Sequence, residues 1–97
     1  MSWTELMPGG PGRPPAVTTA ELEAAVFHVG LAVWREARTL GVRLEVMEDL
    51  DDALGTYRAI LADPQHSPEV LSAAAGWILR WTAELIRQAP AAAEAAA

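Results

Sequence analysis

Residues 67–88 read Ser-Pro-Glu-Val-Leu-Ser-Ala-Ala-Ala-Gly-Trp-Ile-Leu-Arg-Trp-Thr-Ala-Glu-Leu-Ile-Arg-Gln, and this stretch decides the fold. Its opening is a helix start. Ser67 offers a side-chain oxygen as N-cap, Pro68 occupies the first helical position where no donor is lost, and Glu69 sits near the positive end of the helix. Val70, Ala74, Trp77, Trp81 and Leu85 then recur at three- and four-residue steps. Leu71, Ala75 and Ile78 lie beside them, and Leu79 and Ile86 lie beyond. The polar remainder is a narrow strip of Ser72, Gly76, Arg80, Glu84 and Arg87. A helix apolar over more than half its circumference needs neighbours on two sides, and it still has surface left for another molecule.

Upstream, two further helices supply those neighbours. Val17-Thr18-x-x-Glu21-Leu22 is a capping box, with Thr18 as N-cap and Glu21 at N3, and Val17 and Leu22 are spaced as a hydrophobic staple. The first helix runs from about residue 18 to Leu40 and stops at Gly41, the residue type that tolerates the left-handed conformation past a helix end. Val42-Arg43-Leu44-Glu45-Val46 alternates like a strand, but no second such run exists to pair with it, so it is read as the start of the second helix. That helix continues through Met47, Leu50, Leu54, Tyr57 and Leu61 to about Ala62, and Asp63-Pro64 ends it. The expected fold is all-α: a small three-helix bundle of antiparallel type with helices near 18–40, 43–62 and 67–88.

The ends differ in character from this 17–89 domain. Four of the seven prolines and three of the seven glycines fall within residues 1–16, which reads as a Pro/Gly-rich extended arm. Within the arm, Ser2-Trp3-Thr4-Glu5 repeats the capping-box spacing and gathers Trp3, Leu6 and Met7 on one turn at residues 2–7, a candidate anchor for a neighbouring subunit. Pro8 to Pro15 would span roughly 25 Å as polyproline II. At the other end, Pro90 and the alanine-rich run to Ala97 (residues 90–97) lack an apolar pattern, and a frayed tail is expected.

Charge and residue usage narrow the function classes. Seven arginines face 13 acidic residues in a chain of 97, a net of −6, so the basic footprint of a nucleic-acid binder is missing. Cysteine is absent, which removes disulfides, thiolate nucleophiles and cysteine metal sites. The arm lacks the features of a secretory signal, and no apolar run approaches the roughly 20 residues of a membrane span. The expected location is the cytoplasm, or a phage particle. Absent lysine and asparagine with abundant alanine suit high-GC coding, hence a bacterial or phage source.

No catalytic constellation emerges, and neither a metal nor another cofactor is expected. His28 has only Ala24, Ala25, Leu31 and Ala32 as helical neighbours and reads as a core or interface histidine; His66 reads as a solvated turn residue. Glu45, Glu48, Asp49 and Asp52 follow one face of the second helix without the spacing of a calcium loop. That face reads as solvated, with a basic partner as the sharper alternative. Trp77 and Trp81 are the strongest candidates for partner binding, with Trp3, Leu6 and Met7 of the arm. The expected function is therefore a non-catalytic assembly or protein-binding subunit of a homo- or hetero-oligomeric complex, such as a virion. The alternative is an acidic inhibitor that occupies a basic groove. Each N-cap satisfies a donor its helix cannot, so replacing Thr18 or Ser67 by alanine is expected to cost about 0.5–2 kcal/mol in thermal denaturation.

Overall fold

A computed structural model describes residues 18–96, which form α1 (Thr19–Thr39), α2 (Glu45–Ala62) and α3 (Pro68–Ala96). The expected all-α three-helix bundle is the observed architecture. The Pro/Gly-rich arm, its anchor turn and the Val17 half of the staple lie outside the described residues.

The capping box at Thr18 forms in both directions: the Glu21 N–H donates to Thr18 Oγ1 and the Thr18 N–H donates to Glu21 Oε2, each at 3.1 Å. At the far end of α1, Gly41 takes φ +77°. Its N–H donates to the Arg38 carbonyl, and the Val42 N–H reaches back to the Ala37 carbonyl, both at 3.0 Å. This is the paired 5→2 and 6→1 closure of a Schellman turn, sealed by apolar Ala37 and Val42, which are both buried. The chain then stays extended through Leu44 before α2 begins at Glu45. The alternating run 42–46 is therefore not helical from residue 43 as its position suggested; the Schellman turn directs Val42 into the core first. In the second connection, the Gln65 N–H donates to Asp63 Oδ1 (2.9 Å), and Ser67 Oγ accepts from the Val70 N–H (3.4 Å) to start α3.

Pairings across the bundle set the helix directions. Phe27 stacks on Tyr57 with ring centroids 5.2 Å apart, and Trp34 Nε1 donates to the Met47 carbonyl at 3.1 Å, so α1 and α2 are antiparallel. Ser72 Oγ donates to Glu23 Oε1 at 2.9 Å, while Gly30 lies against Ile78 and Thr82, so α1 and α3 run parallel. The order is up, down, up. Leu50, Ile78 and Leu85 are fully enclosed between the helices, each contributing about 1.5–3 kcal/mol of apolar burial. Burial, and then the negative charge of Glu23, push the Tyr57 phenol above its usual range, which favours its neutral form inside the bundle.

Two expectations need correction. Helix α3 does not stop near Gln88 with a frayed tail after it; it continues through Pro90 to Ala96. A mid-helix proline costs about 3 kcal/mol. On either side of it the helix is favoured by alanine, the best helix former, and by Ala89, Ala92 and Ala93, which pack partly buried against the core. Of the core and interface readings of His28, the core one is overturned: the residue is exposed on α1, with its ring edge-on to Phe27 at 5.5 Å.

The helices approach closely at Gly30. A Cβ placed there would meet Ile78 Cγ2 at 2.7 Å, Thr82 Oγ1 at 3.0 Å and Leu54 Cδ2 at 3.5 Å. The same atom at the exposed helical positions Gly55 and Gly76 would meet none of the described residues within 4 Å. One substitution type should thus change sign along the chain. Gly55→Ala and Gly76→Ala are expected to stabilise by up to about 1 kcal/mol through helix propensity. Gly30→Ala is expected to destabilise, because about 1–3 kcal/mol of overpacking outweighs that gain. Chemical denaturation of the three variants measures both signs.

Candidate partner-binding surface

Trp77 precedes the enclosed Ile78 by one residue, so it is turned about 100° around α3 from the core direction. It stays half exposed, at 50%. Trp81, one turn on, is partly buried against the core. The two indoles stack at 6.1 Å with an interplanar angle of 18°. The Arg80 guanidinium lies over both rings, 5.3 Å from the Trp77 centroid and 5.1 Å from that of Trp81. Such cation–π placement stiffens the aromatic pair, and Trp77 keeps half of its surface exposed beside it.

Facing these rings across the α2–α3 seam are the carboxylates of α2. One stretch of the seam is lined by Asp49, Asp52, Ala53, Thr56, Ala74, Trp77 and Trp81. The adjoining stretch is lined by Glu45, Val46, Asp49, Arg80, Trp81, Glu84 and Gln88. Asp49 and Trp81 belong to both, so the two make one furrow. Its reach from Glu45 to Thr56 is about 16 Å at 1.5 Å per helical residue, or three turns. The floor is alanine, valine and indole, and the α2 rim is acidic.

At the α3 end of the furrow, Glu84 is held by its own helix. Arg87 hydrogen-bonds and ion-pairs with it, and Gln88 Nε2 donates to Oε1 at 2.7 Å. The Arg87 hydrogen bond first, then that from Gln88, pull the Glu84 carboxyl down to about 2, so it keeps its charge through the mildly acidic range. Arg87–Glu84 is the ion pair found among the described residues, and none of the α2 acids takes part in it.

The structure brings together residues that the sequence had suggested separately. Trp77 and Trp81 share the furrow with Asp49, Asp52 and Glu45. Glu48 does not join them: it lines a different depression, with Arg38, Arg43 and Glu45 beside the α1–α2 connection. Trp3, Leu6 and Met7 lie outside the described residues. Among the described residues no three His, Asp or Glu side chains gather as metal ligands. His28 sits on the outside of α1, and His66 Nδ1 lies 2.7 Å from the Asp63 carbonyl oxygen in the α2–α3 turn.

Sequence reasoning missed the polar pair inside the α1–α3 seam. Glu23 is only 8% exposed; its Oε1 accepts from Ser72, while Oε2 and the buried Thr82 Oγ1 have no hydrogen-bond partner among the described residues. The available signal was the seven-residue spacing of Glu23, Gly30 and Ala37, which are the buried residues of α1. No described helix is long and apolar enough to cross a membrane. Comparison of the chain with protein-family models, with curated proteins and with solved structures gave no match.

Proposed function

We propose that this chain is a non-catalytic protein-binding module whose α2–α3 furrow receives a basic amphipathic helix of a partner protein, within an assembly of the kind the sequence suggested. The observation that carries the reading is the half-exposed Trp77, stacked on Trp81, opposite Asp49 and Asp52. A partner helix that laid a leucine stripe on the indoles would carry its flanking arginines or lysines to the α2 rim. That is the helix-in-groove mode of recognition, with aromatic anchors at the centre and charge at the edge. An acidic rim also speeds encounter with a basic partner and discourages an acidic one.

The inhibitor reading uses the same carboxylates differently, as a convex acidic face that enters a partner's basic groove. It needs the α2 acids and not the indoles. Exposure of Glu45, Glu48, Asp49, Asp51 and Asp52 along α2 keeps it in view.

Titration calorimetry with a synthetic helix of about four turns, leucine along one stripe and arginine on its flanks, separates these readings. Binding of the arginine peptide but not of its glutamate counterpart is expected. Trp77→Ala should weaken it about tenfold or more, and so should Asp49→Arg with Asp52→Arg. Equal binding of both peptides would contradict the proposal. Loss on charge reversal with no effect of Trp77→Ala would move the assignment to the inhibitor.

A further inference from the structure

The furrow leaves the opposite side of α3 unexplained. Leu79 follows Ile78 by one residue and is turned about 100° the other way, toward the outer flank of α1. It is 59% exposed, and Ile86, two turns along the same stripe, is 54% exposed. On α1 the neighbouring stripe carries Leu22, Val29 and Leu40, all more than half exposed. Toward the C-terminal end the two stripes enclose a shallow groove of about 280 Å³ lined by Val33, Ala37, Leu40, Ile86, Ala89, Pro90 and Ala93, with Glu36 as its single charged residue. The part of α3 that continues past Gln88 forms one wall of this groove.

We propose that this α1–α3 face is the interface of a homodimer. Charge and extent together argue for a second copy as the occupant. The chain carries −6 overall, and α2 presents five exposed acids within eight residues, Glu45 to Asp52, so two copies repel when they meet on that side. The α1–α3 face is nearly free of charge and lies on the far side of the bundle from the α2 acids. A like-charged copy can approach there with its acids pointing away. A twofold axis along the helices would lay the α1 stripe of one copy on the α3 stripe of the other, apolar against apolar. In extent, Leu22 to Leu40 spans about 27 Å along α1, and two adjacent helices give a width of roughly 20 Å. The planar area is therefore roughly 500 Å² per copy, at the roughly 1,000 Å² total that a specific interface should clear. The dimer would carry its two furrows outward, available to two partner helices at once.

Sedimentation equilibrium of the full chain, from low micromolar to near-millimolar concentration, tests this independently of any peptide. The native chain is expected to dimerise. Leu79→Glu and Ile86→Glu, both at exposed positions, should weaken dimerisation about tenfold or more each with unchanged helical circular dichroism. Trp77→Ala should leave it intact. A native chain that stays monomeric throughout overturns the proposal, as does dimerisation that survives both glutamate variants. Dimerisation that Trp77→Ala abolishes would place the second copy in the furrow, and would overturn it too.

Discussion

Gly30 lets α1 and α3 approach until its Cα faces Ile78 and Thr82 with no room for a Cβ. Most of the molecule follows from that contact. Glu23 and Ala37, seven residues to either side of Gly30, are drawn into the same seam, and Ser72 reaches across to hold the Glu23 carboxylate. Among the described residues, the seam also leaves Glu23 Oε2 and the Thr82 hydroxyl buried without hydrogen-bond partners. Such groups normally cost about 1–3 kcal/mol each. The surrounding enclosure of Leu50, Ile78 and Leu85 outweighs them.

Pinning Ile78 beneath Gly30 also decides which residues of α3 are left over. The residues before and after Ile78 diverge by about 100° to either side. Trp77 emerges on the α2 flank and Leu79 on the outer α1 flank, and both remain at least half exposed. A helix apolar around most of its girth is thereby split into an inner third that closes the bundle and two outer margins with different neighbours. One margin meets the α2 carboxylates and becomes a furrow with an acidic rim; the other meets Leu22, Val29 and Leu40 and stays neutral. The same three-helix fold thus offers chemically distinct surfaces on its two sides.

Much of this was legible from the residues because local chemistry specified it. Thr18 with Glu21, Ser67 with Pro68, and Gly41 each satisfy or relax a backbone group at a helix end, and such signals need no knowledge of tertiary contacts. The excess apolar surface of α3 was legible for the same reason, since periodicity is a property of one helix. What depends on two helices was not. Gly30 reads as an ordinary glycine until α3 is placed against it. The acids of α2 form one face on a helical projection, yet the neighbouring helix draws Asp49, Asp52 and Glu45 to the tryptophans and leaves Glu48 near Arg38 and Arg43. At Pro90 the local signal pointed the wrong way, because packing of Ala89, Ala92 and Ala93 carries the helix through a residue that by itself ends one.

Charge divides the surface, with an acidic aromatic furrow on one side and a neutral apolar face on the other. Raising salt from about 0.1 M to 1 M shortens the screening length from about 10 Å to 3 Å and should act on the two sides differently. The most direct test measures, over that range, both the affinity for the arginine-flanked helix and the dimer dissociation constant. Peptide affinity is expected to fall about tenfold or more while dimerisation holds or tightens, since screening also relieves repulsion between the acidic copies. Peptide binding indifferent to salt, or self-association that weakens in step with it, would show that charge does not divide the surface in this way.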